Sequence, residues 1–400
     1  MNTKIIIFVL TLFLFLGNFG CTAKEKNEEN FSNKKKIYEE SKSSSVDSLT
    51  RDIYNSRQNA ITRAVAKASP AVVGINVIQY VEVPYRIYDP FFDPLFEYFL
   101  GKRPRDFFYE KFKVQGLGSG FIISPNGYIL TNHHVAGNAS KIVVTTTEGK
   151  KYDAKLVATD EVSDVALLKI EGENFPYLKL GNSDDVIVGE WVIAMGNPFG
   201  LFDLNMKPTV TVGVVSNKGI NIIQDNKIYK GMIQTDAAIS SGNSGGPLLN
   251  SLGEVIGINT MIYSTATSRQ GAGSIGIGWA IPINRVKKIV DKIVDKTEIQ
   301  RNFDLGLTLI EPGTYEAQRY RIEFDEGLLV VEVHRNSPAA KAGFEPGDII
   351  LEINGTKINS LDDYKLIVFD SFLEDELNFK VKRGGKEINL TVKVSKFKRR

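Results

Sequence analysis

Short apolar segments separated by turn residues dominate the chain from about residue 59 onward. Gly120-Phe121-Ile122-Ile123 leads into the turn Ser124-Pro125-Asn126-Gly127, and Tyr128-Ile129-Leu130-Thr131 follows as a second apolar segment. Such segments between turn signals are typical of strands in a β-barrel or sandwich. The same pattern predicts further strands at 71–77, 141–146, 152–158, 165–170, 191–195, 209–215, 255–259 and 276–280.

Three stretches depart from this pattern. Residues 61–68 predict a short helix, and the apolar positions of 282–294 have the helical spacing of a helix that closes the domain. Residues 79–115 are rich in aromatic side chains and contain prolines at 84, 90, 94 and 104. Because proline interrupts a strand ladder, we predict a long loop there, with its rings buried against another surface or subunit.

The first 20 residues have the composition of an export signal. Lys4 precedes an apolar run, 5–16, which is shorter than the roughly 20 residues that a membrane span needs. The single cysteine, Cys21, follows, and the segment resembles a bacterial lipoprotein signal over 1–20 whose cysteine is lipidated. An ordinary cleaved signal and an uncleaved anchor over 5–23 stay open. All three place the remaining chain outside the cytoplasm, in the bacterial cell envelope or periplasm.

Residues 21–58 predict a disordered tether, because charged and serine residues dominate there and apolar clusters are almost absent. The formal net charge of the chain is only +2, so we expect no nucleic-acid partner. One cysteine excludes an internal disulfide and a cysteine-based zinc site. A mechanism that needs an imidazole has three candidates: His133, His134 and His334.

The segment Gly242-Asn243-Ser244-Gly245-Gly246-Pro247 carries the strongest chemical signal. Glycines permit the unusual dihedral angles that turn several backbone N–H groups into one pocket, which can stabilise an oxyanion beside a nucleophilic serine. Ser244 is therefore the candidate nucleophile. Gly242, Asn243 and Ser244 are the candidates for the oxyanion hole.

Two further segments supply a candidate base and a candidate carboxylate. Thr131-Asn132-His133-His134-Val135 follows a predicted strand, and Asp164 precedes the apolar segment Val165-Ala166-Leu167-Leu168, where a carboxylate can be buried against an imidazole. These motifs resemble those of the trypsin-like HtrA/Deg serine proteases. The resemblance implies a chymotrypsin-like double β-barrel in which His134 is the base, Asp164 orients it and Ser244 attacks. The order His–Asp–Ser agrees with that fold.

Substrate specificity is limited by the residue six positions before the serine. In trypsin that residue is an aspartate that pairs with basic substrate side chains, whereas this chain has the uncharged Ala238. Thr260, Met261 and Ile262 are the predicted pocket wall. We predict cleavage after small or medium aliphatic residues.

The C-terminal part resembles the PDZ domain that HtrA proteases carry. The matching segments are Ser337-Pro338-Ala339-Ala340-Lys341-Ala342-Gly343 and Pro346-Gly347-Asp348-Ile349-Ile350. We predict a protease domain over 59–298 and one PDZ domain over 300–395, which binds peptide C-termini by strand addition. The carboxylate loop is predicted at Asp304, Leu305, Gly306 and Leu307. The membrane-tethered, single-PDZ members of the family are usually trimers, which implies a homotrimer here.

The resulting functional hypothesis is an ATP-independent envelope endopeptidase that acts on misfolded or regulatory proteins. The alternative is a peptide-binding chaperone or scaffold whose protease activity is secondary. A metal site built from His133 and His134 is disfavoured, because adjacent residues of a strand point to opposite faces. We expect no metal and no cofactor.

Overall fold

The computed structural model describes residues 51, 55–85, 108–197, 207–224, 227–262, 276–294, 301, 303–320 and 324–397. The predicted signal, Cys21, most of the predicted tether and the middle of the aromatic segment lie outside these residues. Among the described helices, none is long and apolar enough to cross a membrane.

The first six strands close into a barrel with the order β1-β2-β3-β6-β5-β4. Alternating side chains of these strands, such as Ile75, Ile129 and Leu168, fill its interior without exposure. The strands are β1 (Val72–Tyr85), β2 (Phe108–Ile122), β3 (Tyr128–Thr131), β4 (Lys141–Thr145), β5 (Lys151–Asp160) and β6 (Val165–Ile170).

The next six strands close into a second barrel with the order β10-β11-β12-β9-β8-β7. Phe121 and Leu130 of the first barrel join Ile193 and Leu249 of the second in one buried cluster, which holds the barrels together. The strands are β7 (Trp191–Gly196), β8 (Thr209–Gln224), β9 (Lys227–Thr235), β10 (Pro247–Leu249), β11 (Val255–Ile262) and β12 (Gly278–Pro282).

Among the described residues, three α-helices accompany the barrels: α1 (Ala60–Ala68), α2 (His133–Ala136) and α3 (Ile283–Ile293). Asn59 caps α1 by accepting a 3.0 Å hydrogen bond from the Thr62 N–H, so the helix begins where the sequence becomes apolar. The predicted closing helix is α3. Its inner face is apolar and buried, at Ile283, Val286, Ile289 and Ile293.

The C-terminal domain is a sheet with the order β13-β14-β15-β17-β18, and β16 pairs with β15. β13 pairs only with β14 within the described residues, so its other edge is open. The strands are β13 (Leu307–Ile310), β14 (Leu328–Val333), β15 (Ile349–Ile353), β16 (Thr356–Lys357), β17 (Glu376–Arg383) and β18 (Lys386–Lys393). The helices are α4 (Tyr315–Tyr320), α5 (Pro338–Ala342) and α6 (Leu361–Val368).

The prediction of a loop throughout 79–115 was wrong at both ends. β1 continues to Tyr85 and pairs with β2 down to Phe108, with Pro84 opposite Tyr109. β1 contacts β4 only as far as Ile78, so beyond that point it has one neighbour in the described sheet. Because a proline is tolerated where a strand has a free edge, Pro84 does not end the ladder.

Candidate active site

Asp164 lies at the centre of the candidate site and has no exposed surface. Its Oδ2 atom lies 2.7 Å from Nδ1 of His134, and its Oδ1 atom accepts a 2.9 Å hydrogen bond from the His134 backbone N–H. These two contacts fix both the position and the ring orientation of the histidine. The His134 side chain keeps 36% of its surface exposed, so the imidazole is accessible to a substrate.

The turn that precedes β6 directs the Asp164 side chain. Asp164 has a φ angle of 58°, in the left-handed region that aspartate tolerates better than most residues. Its N–H donates to the Glu161 carbonyl at 3.2 Å, and its carbonyl accepts a 3.0 Å bond from Nδ2 of Asn132. Because Asn132 directly precedes α2, this bond connects the turn to the segment that carries His134.

Three further side chains donate to the Asp164 carboxylate. Nζ of Lys227 lies 3.1 Å from Oδ1, while the Tyr229 hydroxyl and Oγ1 of Thr260 lie 3.1 and 2.9 Å from Oδ2. Burial on its own raises the pKa of Asp164, but the hydrogen bonds and charge of His134 and the charge of Lys227 outweigh it and hold that pKa well below its usual range. The carboxylate is therefore ionised at neutral pH.

Ser244 follows a 3₁₀ helix, Ser241–Asn243, and precedes β10. Its hydroxyl donates to the Thr260 carbonyl at 3.2 Å, and within the described residues no hydrogen bond joins it to His134. Thr260 thus contacts Asp164 through its side chain and Ser244 through its main chain. One threonine therefore connects the buried carboxylate to the serine hydroxyl.

Ser119 of the first barrel holds the turn around Ser244. Its N–H donates to the Ser244 carbonyl at 2.9 Å, and its hydroxyl donates to the Gly242 carbonyl at 2.5 Å. Gly245 has a φ angle of 84°, and a Cβ atom there would overlap the Ser119 carbonyl and the Thr131 side chain. Only glycine fits this position, which explains one glycine of the serine motif.

The predicted oxyanion residues share this turn. The Asn243 N–H donates to the Ser240 carbonyl at 2.9 Å, so this N–H is engaged inside the turn. Nδ2 of Asn243 contacts the Ala238 carbonyl at 3.5 Å. In this conformation Asn243 shapes the turn, and the backbone N–H groups of Gly242 and Ser244 stay the candidates for oxyanion donors.

The predicted pocket residues have different surroundings. Ala238 is exposed, and its carbonyl accepts a 2.7 Å bond from Oγ1 of Thr211. Thr260 is buried and its hydroxyl is engaged with Asp164, so its side chain supports the carboxylate instead of forming an open wall. Met261 and Ile262 belong to β11, and their side chains lie outside the described part of the structure.

Family profiles match both folded parts of the chain. The profile of a trypsin-like peptidase domain matches residues 118–258, and that of a PDZ domain matches residues 304–394. A probable periplasmic serine endoprotease DegP-like of Chlamydia pneumoniae is 40% identical over 371 residues, which cover 88% of this chain and 72% of the relative. The chain belongs to the HtrA/DegP-like family of serine endoproteases.

Other relatives agree with this assignment. A protein of the same description from Rickettsia conorii is 36% identical over 403 residues, which cover 98% of this chain and 76% of the relative. The solved HtrA-type protease AlgW with decapeptide has a TM-score of 0.63 and 34% identity, covering 83% of this chain and 97% of that one. The serine endoprotease from Yersinia pestis has a TM-score of 0.56 and 30% identity, covering 84% and 98%.

This HtrA/DegP-like chain is thus a serine endopeptidase with one PDZ domain, and its mainly β fold is confirmed. In the PDZ domain, the predicted carboxylate loop leads directly into β13. Gly306 has a φ angle of 78°, and its N–H donates to Oδ1 of Asp304 at 2.7 Å. The side chains of Leu305 and Leu307 are buried in the domain core.

The other two histidines have separate surroundings in this HtrA/DegP-like chain. His133 is buried, and its Nδ1 lies 2.8 Å from Oγ1 of Thr159. Burial lowers the pKa of His133 below its ordinary value, although nearby acidic groups such as Glu161 oppose this. His334 lies in the PDZ domain beside Glu332, at 3.8 Å. Neither contacts Asp164 as His134 does.

Sequence reasoning missed Lys227, Tyr229 and Ser119 in this HtrA/DegP-like site. Lys227 and Tyr229 are two positions apart on β9 and so share one face of the strand, and this shared face could have been predicted from the sequence. Nothing in the local sequence indicates that this face meets Asp164, because the contact depends on how the two barrels pack.

Proposed function

We propose that Ser244, His134 and Asp164 form the catalytic triad of this endopeptidase. The supporting observation is the 2.7 Å contact between Nδ1 of His134 and Oδ2 of the buried Asp164. This contact leaves Nε2 of His134 free to accept the Ser244 proton while Oγ attacks the peptide carbonyl. Asp164 stabilises the resulting imidazolium, which returns the proton to the leaving amine. The Gly242 and Ser244 N–H groups, within the turn shaped by Asn243, bind the oxyanion.

The Ser244 hydroxyl has to leave the Thr260 carbonyl and turn toward His134 before attack, because it bonds that carbonyl in the structure. The direct test is Ser244→Ala, which we expect to lower kcat by roughly 10⁶-fold. Casein digestion by the full chain measures it. Retention of activity within tenfold would remove Ser244 as the nucleophile.

The same variant separates proteolysis from the alternative chaperone or scaffold role. The Ser244→Ala protein is tested for preventing aggregation of an unfolded substrate and for restoring normal growth to cells that lack the wild-type protein. If it does both, proteolysis is not the principal role. If it binds substrate but restores nothing, the endopeptidase is the function. The folded state of the variant is checked by its melting temperature.

Cleavage after small or medium aliphatic residues is the second part of the proposal. Its support is the absence of charge at Ala238, six residues before Ser244. A peptide library reports the preferred residue, and preference for Lys or Arg would overturn the assignment. Ala238→Asp is the matched variant, which we expect to shift preference toward basic residues.

The PDZ domain is proposed to bind peptide C-termini by adding them as a strand to β13. The open edge of β13 and its connection to the Asp304–Leu307 loop support this mode. A peptide carboxylate would compete with Oδ1 of Asp304 for the Gly306 N–H. The test is a hydrophobic peptide against its C-terminally amidated form, and equal binding of both would exclude carboxylate recognition.

The proposed setting is the bacterial cell envelope, where the enzyme acts without ATP on misfolded or regulatory proteins. The relatives are named as periplasmic proteins, which supports the periplasm as the location of this chain. Fractionation of cells that carry Cys21→Ala tests the membrane tether. The substitution releases the protein from the membrane if a lipid on Cys21 is the tether, and leaves it in the membrane if an uncleaved N-terminal segment is the anchor. The proposed homotrimer is tested by light scattering of the purified chain.

A further inference from the structure

A cavity of about 720 Å³ lies between α3, the paired strands β8 and β9, and the PDZ domain. Its volume is in the range of small-molecule binding sites. None of His134, Asp164 and Ser244 lines it, so it is separate from the proposed triad. Six cationic side chains and three acidic ones line it, the cationic ones being Lys218, Lys230, Arg285, Lys288, Lys292 and Arg301.

Arg301 is the most buried of these cations, with 1% of its side chain exposed. Its Nη2 donates to Asp370 at 2.6 Å and to Ser163 at 3.1 Å. Its Nε and Nη1 have no hydrogen-bond partner among the described residues, and Nε lies 3.6 Å from Asp160. Burial lowers the pKa of Arg301 despite Asp160 and Asp370, so these carboxylates do not fully offset the loss of solvent. Buried donors of this kind need an acceptor.

The N-terminus of α3 also faces this cavity. The helix starts after Pro282, has no side-chain cap and carries no acid in its first turn. It places Arg285 there instead, and Nε of Arg285 likewise has no partner in the described part of the chain. A helix N-terminus is partly positive and attracts anions. Asp370 supplies one negative charge there, since it accepts from Nη1 and Nη2 of Arg285 at 3.1 and 2.7 Å.

The cationic side chains at the cavity outnumber the acidic side chains that pair with them. Asp370 accepts from both Arg285 and Arg301, and Asp375 lies 3.6 Å from Lys292. Lys288 has no ion-pair partner within the described ranges, and it lies about one turn from Arg285 on the same helix. An anion placed here would meet guanidinium and ammonium groups together.

We propose that this cavity binds a small multivalent oxyanion of the oligophosphate class. Guanidinium donors, ammonium groups and a helix N-terminus are the groups that proteins use for phosphate. One orthophosphate is small against 720 Å³, whereas a di- or triphosphate is long enough to contact Arg285 and Lys288 together, which lie about one helical turn apart.

The test is calorimetric titration of the full chain with sodium tripolyphosphate at low ionic strength and neutral pH. We expect one saturable site per chain. The Lys288→Gln/Lys292→Gln double variant should bind at least about tenfold more weakly, since each lost charged contact is worth roughly that factor. Lys155→Gln is the matched control, because Lys155 is an exposed lysine outside the cavity. Equal melting temperatures show that both variants fold.

Three results would overturn the proposal. The first is the absence of a saturable site for tripolyphosphate. The second is equal weakening by Lys155→Gln and the double variant, which would indicate nonspecific attraction. The third is binding of orthophosphate or a glutamate decapeptide as tightly as tripolyphosphate, which would exclude the oligophosphate class.

Discussion

The ammonium group of Lys227 lies 3.1 Å from Oδ1 of Asp164, with 19% of the lysine side chain exposed and none of the aspartate. The cation therefore offsets part of the negative charge that the Asp164–His134 pair holds in the protein interior. An imidazole beside a carboxylate binds a proton more readily when nothing else neutralises that carboxylate.

Lys227→Met should therefore move the acid limb of the kcat/KM profile to higher pH, by about half a unit to one unit. The measurement is peptide hydrolysis between pH 5 and 8. Lys227→Arg keeps the charge and should keep the profile. A uniform loss of activity at every pH would show that Lys227 has only a packing role.

Thr260→Val removes the 2.9 Å bond to Oδ2 of Asp164 and leaves the main-chain acceptor of Ser244 in place. A hydrogen bond to a charged group is worth enough that kcat/KM should fall about tenfold to a hundredfold. Thr260→Ser retains the hydroxyl and should retain most of the activity. Equal rates for Thr260→Ser and Thr260→Val would show that the hydroxyl does not matter.

Ser119→Ala removes the side-chain bond to the Gly242 carbonyl, and with it a restraint on the proposed oxyanion turn. We expect kcat to fall about tenfold while KM changes little, because the turn acts mainly in the transition state. Ser140→Ala, at an exposed serine of the same barrel, is the control and should leave both constants unchanged. A rise in KM alone would assign Ser119 to substrate binding.

Asp370→Asn disturbs the contact between the protease and PDZ domains, where Asp370 accepts from Arg285 and Arg301. The substitution leaves Arg285 without its carboxylate and Arg301 with Asp160 alone, so the free energy of unfolding at pH 7 should fall by about 3 kcal/mol. Urea denaturation measures it. Asp362→Asn, an exposed aspartate of the same domain, should change it by less than about 0.5 kcal/mol.

The contact of Asp370 with the arginines should also make the free energy of unfolding depend on pH in the acid range. Burial raises the pKa of Asp370, but Arg285, Arg301 and Lys230 outweigh this and hold it below the ordinary value. A carboxylate with a lowered folded-state pKa stabilises the protein above its unfolded pKa of about 3.9, and this stability is lost as pH falls through the folded value. Between pH 4 and 2, stability should therefore fall less steeply in Asp370→Asn than in the wild type. Identical slopes would contradict this.

The sequence predicted those parts of the fold that depend on residues close together along the chain. Helix α5 is an example, because the Ser337 hydroxyl accepts from the Ala340 N–H, Pro338 occupies the first turn and Gly343 ends the helix with a φ angle of 88°. The short strands of both barrels follow from their apolar segments in the same way. The pairing of His134 with Asp164 was predicted from motifs.

Contacts between distant segments were not predictable in this way. Tyr85 pairs with Phe108 across a stretch that reads as loop, because pairing with a neighbouring strand outweighs the local signal of Pro84. The Ile228 N–H donates to the Val162 carbonyl at 2.7 Å, which brings β9 to the turn of Asp164. Only this tertiary arrangement makes Lys227 and Tyr229 neighbours of the carboxylate.

Ser119 belongs to one barrel and the turn that it holds belongs to the other. A chain in which only one barrel has formed lacks either the anchor or the turn. Proteolytic competence therefore requires that both halves are folded and docked against each other. A polypeptide in which the two halves have not yet met is in this way harmless to its neighbours and to other copies of itself.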